Sequence, residues 1–566
     1  MKQPPFLRYY NSEWVSSILS NMTLEEKIGQ LFQVAAFSNR DKTHEDHILE
    51  LIRNYHLGGV TFFQDNPEKQ AELTNLYQDH SKVPMFINID AEWGLAMRLK
   101  NTVQFPYQMA LGAIKDDQLI YQMASKIGEH CKRLGIHSAL APVVDVNNNP
   151  ENPVINYRSF GENKKKVAAK GIAYMKGLQD NQILDNAKHF PGHGDTAVDS
   201  HLALPELLHS NERLHSLELY PFKKMMAEGL SSVMTAHLSI PAWDDRVNMP
   251  ATLSQKISDE LLRKELGFEG LAITDALDMK GITNHYTAGI ADKMAILAGN
   301  DIITNSESVP NGVAEIKAAL ERGEMSEELL DHKVRRILAM KQWVGLDKYK
   351  PIQLEGLLED LNDQDSVELN KVLAEASLTL LKNEGGILPL AAEQKVACLH
   401  ISNSGVTVSA RDQLAHHLQD MEAKKVQNKF ADYMQEYGNT DHFYWEAEEG
   451  KEALEAIAEK LEAYHTVVIS IHGVNIKPFN YFDIPMEAIP VIEKLAEVQD
   501  VVFVLLGNAY ALNVFQGIEK AKAIIVTYQE SEYTQETAAR LIAKGFETSG
   551  TLPVTINEHY REGAGL

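Results

Sequence analysis

Along residues 31–305, short apolar runs rich in β-branched residues alternate with longer amphipathic stretches. The runs are LFQVAAF (31–37), LGGVTFF (57–63), VPMFINID (83–90), IHSALAPVVDV (136–146), ILDNAKHF (183–190), SSVMTAHL (231–238), GLAITDAL (270–277) and NDIITN (300–305). Stretches such as DDQLIYQMASKIGEHCKRLG and SQKISDELLRKELG between them place apolar residues at helical spacing. Strands and helices alternating in this way predict parallel βαβ units, and eight of them predict a (β/α)8 barrel of TIM type over 1–345. A connection over 346–370 follows. Beyond it VACLHIS (396–402), VVISIH (467–472), VVFVLLGN (501–508) and AIIVTY (523–528) alternate with helical stretches such as KEALEAIAEKLEAY, which predicts an α/β/α sandwich over 371–566.

The pattern selects candidate chemistry, because a barrel of this kind places reactive groups at the C-terminal ends of its strands. The predicted strands end in Asp90, Asp145, Lys188-His189, His237 and Asp275. Composition narrows the partners. At 566 residues and 44% hydrophobic content the chain is long enough for two cores. A net charge of −25 without any basic run argues against nucleic acid and against an anionic membrane surface. No apolar stretch reaches the roughly 18 residues of a membrane span. Two cysteines, Cys131 and Cys398, make neither a disulfide framework nor a thiolate metal site. The start MKQPPFLRYYNSEWVSS lacks the basic-then-apolar pattern of an export signal, so the expectation is a protein that stays inside, or one whose signal was trimmed.

The densest chemistry lies in AKHFPGHGDTAVDSHLALP (187–205). His189 and His193 stand at a two-ligand helical spacing, but Pro191-Gly192 and Gly194 break any helix there, which weighs against a metal site. GHGDTA (192–197) has the loose glycine pattern of a dinucleotide loop, yet no helix opens after it. A loop whose acids and histidines bond one another accounts for any one of these residues, less readily for all. Acid/base catalysis accounts for more. In DSH, Asp199 and His201 are two apart and face the same way on an extended loop, so the carboxylate can brace the imidazole as a general acid. Asp275, ending the seventh run, suits a carboxylate nucleophile across the bond, in a glycosyl transfer that retains configuration; its competing roles are a helix cap, with Asp278 as a neighbouring candidate.

These residues resemble glycoside hydrolase family 3, and within it the β-N-acetylglucosaminidase branch. The matching segments are MTLEEKIGQLF (22–32), APVVDVNNNPENPVINYRSFGEN (141–163), AKHFPGHGDTAVDSH (187–201), GLAITDALDM (270–279) and LLKNEGGILPL (380–390). The resemblance implies a barrel followed by a sandwich, with Asp275 as nucleophile, His201 as acid/base and Asp199 as its dyad partner. It further implies sugar contacts from Asp90, Arg158, Lys188 and His189, and no metal or organic cofactor. Family 3 β-glucosidases take their acid/base carboxylate from the second domain and are not expected to carry the KHFPGHG and DSH element. Where the branch usually reads DQEGG, this chain has DAEWG (90–94), placing Trp93 beside the expected sugar site, either to stack on a pyranose ring or to fill the barrel core. A neutral imidazole in place of a second carboxylate would not repel phosphate, which leaves phosphorolysis open beside hydrolysis. The expected partner is a small carbohydrate with a terminal N-acetylglucosamine, a muropeptide fragment or a chitin-type oligomer. The oligomeric state is not legible.

Overall fold

The computed structural model describes residues 2–198, 203–403 and 428–566. They form two compact units that are discontinuous in sequence: 1–105, 117–146 and 164–366 in one, 106–116, 147–163 and 367–566 in the other.

The first unit contains β1 (Phe32–Phe37), β2 (Gly59–Phe63), β3 (Phe86–Ile89), β4 (Asn186–Phe190), β5 (Ser232–Thr235), β6 (Leu271–Thr274) and β7 (Ile303–Thr304). Helices separate them, and their starts are set locally: the Asp41 side chain accepts from the Thr43 and His44 amides to open Lys42–Tyr55. The strands pair in parallel as β3-β2-β1-β7 and β4-β5-β6, with Val34 opposite Val60 and Val60 opposite Ile87. Single bridges join the two arcs: Ile273 to Ile302 on one side, and on the other Ser138 to both Asn88 and Leu184, with Val143 to Lys188. The ring closes in chain order around buried side chains, a (β/α)8 barrel.

Its fourth stave departs from expectation. The run 136–146 is not a continuous strand, because Pro142 has no amide hydrogen for the ladder and Leu140 has φ 43°. It keeps its place through separate bonds, including His137 N–H to Ile87 O (2.7 Å) and Val144 N–H to Lys188 O (2.8 Å). Of the connection expected over 346–370, residues 346–366 pack on the same unit: Asn75 exchanges two hydrogen bonds with the backbone of Ile352, and Arg133 donates to the carbonyl of Glu355.

In the second unit, six strands among the described residues form one sheet: β8 (Thr379–Asn383), β9 (Val396–Ser402), β10 (Thr440–Glu446), β11 (Thr466–His472), β12 (Asp500–Leu505) and β13 (Ala523–Val526). Their order is β10-β9-β11-β12-β13-β8, parallel except for the antiparallel β13–β8 pair. Alternate residues feed the two faces. Leu399, Ile469 and Phe503 belong to one apolar cluster and Cys398, Val468 and Val502 to the other, which makes the α/β/α sandwich. Met109, Ala110 and Ala113 join the first of these clusters, and Glu162 is bonded by the Thr555 amide and hydroxyl, so the segments 106–116 and 147–163 are part of this unit.

Candidate active site

The strand ends of the barrel meet at one rim. The amide of Ala236, following β5, donates to Phe190 O in β4 at 2.8 Å, and the amide of Asp275, following β6, donates to Thr235 O at 3.0 Å. Two buried ionic clusters sit there, joined through the adjacent residues Lys188 and His189.

The first is built on Lys188, 1% exposed in the middle of β4. Its ammonium lies 2.9 Å from Asp90 Oδ1 and 2.9 Å from Glu92 Oε1. The other Asp90 oxygen is held by the Arg98 guanidinium, which also lies over the Phe63 ring at 4.8 Å. Two anions and two cations balance, which allows such groups to be desolvated together. Burial acts to raise the Asp90 carboxyl, but the Lys188 and Arg98 charges overcome it and hold the group well below the usual carboxylate range. Asp90 is therefore a fixed acceptor with oxygens already oriented, suited to hydroxyl groups of a polar ligand.

The second cluster is built on Asp145, fully buried. His189 gives it both its backbone amide and Nδ1–H, the latter at 2.8 Å, and the His193 amide donates to Oδ1 at 2.7 Å. A carboxylate only accepts, so His189 carries its proton on Nδ1. The turn directly after the second histidine requires glycine: at Gly194 a Cβ would lie 1.9 Å from Val146 O. Beyond it Asp195 accepts from His209 Nε2 (2.9 Å) and Arg213 (2.6 Å), pinning the loop. Burial, then the His189 charge, push the His193 imidazole down to about 4, with the Asp145 and Asp275 carboxylates acting the other way.

Asp275 itself is half-buried, and its Oδ1 accepts the amide of the next residue, Ala276, at 2.8 Å. Asp278 points to the exposed side. Asp90, Lys188, His189 and Asp275 are thus brought together. Trp93 is 6% exposed, close to the filling role rather than an open stacking face. Arg158 lies on the turn Asn156–Arg158 of the second unit, where its guanidinium donates to Val154 O. Asp199 and His201 lie outside the described residues. Glu92 and Arg98 were not singled out by the sequence, their only signal being proximity to Asp90; His193 was weighed there only with His189 as a metal-ligand spacing. Among the described residues no group of three or more His, Cys, Asp or Glu is arranged to hold a metal ion.

Residues 23–340 match the family model of the glycosyl hydrolase family 3 N terminal domain, and residues 378–563 that of its C-terminal domain. The chain belongs to glycosyl hydrolase family 3. It is thereby one of a family of glycoside hydrolases. Beta-hexosaminidase A of Pseudoalteromonas piscicida is 35% identical over 382 residues, 62% of this chain and 63% of the relative, so the chain spans less than two thirds of that protein's length. A protein of Cellulomonas fimi named beta-N-acetylglucosaminidase/beta-glucosidase is 28% identical over 96% of this chain and 95% of its own. Among solved structures, a glycoside hydrolase family 3 beta-N-acetylglucosaminidase from Paenibacillus sp. str. FPU-7 superposes with TM-score 0.78 at 31% identity, covering 95% of this chain and 99% of the other.

Proposed function

We propose that this protein is a retaining, exo-acting β-N-acetylglucosaminidase that removes a terminal β-linked N-acetylglucosamine from muropeptide fragments or chitin-type oligosaccharides. The observation that carries the reading is the pair of buried clusters around Lys188 and Asp145 at the rim where Asp275 ends its strand. Family membership and relatives named for hexosaminidase and N-acetylglucosaminidase activity support it.

In this mechanism Asp275 attacks the anomeric carbon, and the bond to the leaving oxygen breaks as that oxygen takes a proton from His201. The resulting glycosyl ester is hydrolysed by water that His201 deprotonates, returning Asp275 to its carboxylate. Asp199 orients His201; both roles rest on the family resemblance of the DSH element. Asp90, Lys188 and His189 bind ring hydroxyls; a sugar contact from Arg158 rests on the family resemblance alone, and Trp93, 6% exposed, fills the barrel core. His189 gives its Nδ1–H to Asp145, which fixes the orientation of its ring beside Lys188.

Paired aryl β-glycosides of N-acetylglucosamine and glucose test this directly. Asp275→Ala should abolish turnover, and His201→Ala should slow poor leaving groups far more than activated ones, since good leaving groups need little proton assistance. Equal losses across leaving groups would remove His201 from the acid role. The double name of the Cellulomonas relative supports a second reading, a glucosidase; faster turnover of the glucoside would favour it. Sugar 1-phosphate formed at saturating phosphate would mark phosphorolysis, and its absence would leave hydrolysis alone.

A further inference from the structure

Of the strand-end residues, His237 takes no part in the mechanism above. It follows β5, is fully buried, and lies beside the nucleophile's own backbone. Its Nε2 is 2.8 Å from the carbonyl oxygen of Ala276, and its Nδ1 is 2.9 Å from the Thr252 hydroxyl. A carbonyl can only accept, so Nε2 carries a hydrogen and donates it. The Thr252 hydroxyl is itself 2.7 Å from Ala236 O and 3.0 Å from Thr235 O. A neutral imidazole has one ring hydrogen, so with Nε2 donating to Ala276 O, Nδ1 is the acceptor toward the Thr252 hydroxyl.

We infer that His237 is a positioning residue for Asp275: a bridge, engaged at both ring nitrogens, that ties the peptide after the nucleophile to a buried polar layer. That layer is anchored deeper in the barrel. Asn300 accepts from the Thr235 hydroxyl at 2.8 Å and donates to Thr252 O at 2.8 Å, and Thr235, Thr252 and Asn300 are all fully buried. The bridge acts on orientation through a short path. Holding the Ala276 carbonyl sets the plane of the peptide on its far side from Asp275. The same residue's amide donates to Asp275 Oδ1 at 2.8 Å, so the carboxyl is turned with it. Two further backbone bonds, Asp275 N–H to Thr235 O and Leu277 N–H to Thr304 O, both 3.0 Å, fix the segment at its ends. His237 holds the peptide from within by its side chain, and both of its ring nitrogens are engaged in doing so. Neither nitrogen is thereby placed to carry a proton to or from a substrate.

The inference rests on Asp275 being the nucleophile, and the test separates the two. With an aryl β-N-acetylglucosaminide, wild-type turnover together with its loss in Asp275→Ala establishes the reading; without them the reading fails before His237 is reached. Given that, His237→Leu should lower kcat on the order of tenfold to a hundredfold, the range typical when a group that orients a reacting ligand is removed, with KM changed less than about threefold. His237→Gln, which restores a donor toward Ala276 O, should recover part of kcat. Thr252→Val should fall between, and Thr252→Ser should match the wild type. A kcat in His237→Leu within twofold of wild type overturns the inference. So does a pattern in which kcat follows only the melting temperature of each variant, with His237→Gln no better than His237→Leu.

Discussion

At the scale of single residues, the site is governed by desolvation opposed by partners. His193 shows the sign most clearly. In an unfolded chain its imidazole would titrate near 6.5. In the folded protein, burial and then the neighbouring His189 charge push it down to about 4. Between those values the unfolded state binds more protons than the folded one, so the neutral imidazole's contribution is complete above pH 6.5 and is lost as pH falls toward 4. By pH 5 the loss is about 2 kcal/mol. His193→Gln should therefore show a shallower fall in stability between pH 7 and 5 than the wild type, read from denaturant midpoints at the two values. An NMR titration of the wild type should find this ring neutral at pH 5, and a ring already half-protonated there would refute the assignment. The polar ends of the predicted strands were legible because a barrel dictates which end reacts. Glu92 and Arg98 were not, since their roles come from reaching back to Lys188 and Asp90 across a loop whose path no local pattern encodes.

At the scale of elements, the turn after β4 is where sequence and packing meet most tightly. Pro191-Gly192-His193-Gly194 reads as a break in any helix, and the structure adds the reason for the second glycine: its backbone rests against that of Val146. Gly194→Ala should cost about 2–3 kcal/mol through overpacking and displace His193 from Asp145, giving a lower melting temperature together with reduced turnover. Unchanged values for both would show that the contact relaxes freely. The buried strands β1, β2, β9, β11 and β12 were legible as continuous apolar runs, as parallel strands covered on both faces must be. β8 and β10 were not read. Each is an edge strand with half-exposed positions, and TLLKN and TDHFYWE carry no unbroken apolar run. The fourth stave was over-read, because its apolar content is that of a strand while Pro142 denies it a ladder.

At the scale of the molecule, the two units are not two successive lengths of chain. Segments 106–116 and 147–163 leave the barrel's sequence and supply Met109, Ala110 and Ala113 to the core of the sandwich unit. A chain ended after Ser366 would keep those segments and lose the core that buries them. Such a chain should associate and bind a hydrophobic dye, unlike the 566-residue chain, in size-exclusion and fluorescence measurements. A monodisperse, dye-silent product would show that these residues find other cover. Hydropathy periodicity reports which faces are buried, but it does not say which core receives them, and an excursion of eleven or seventeen residues looks from the sequence like any other loop.

What the sequence determined by itself was the class of architecture and the chemical inventory. Periodicities of two and 3.6 follow from local geometry, so alternating strands and helices, the glycine-dependent turn and the acids and histidines at strand ends are written into neighbouring positions. What only the tertiary structure decided was pairing: which carboxylate neutralises Lys188, which backbone needs Gly194 to be bare, which unit owns residues 106–116, and that His237 turns toward the peptide of Asp275. Those choices join residues tens to hundreds of positions apart, and hydrogen-bond geometry and desolvation act on distance in space, for which separation along the chain is no measure.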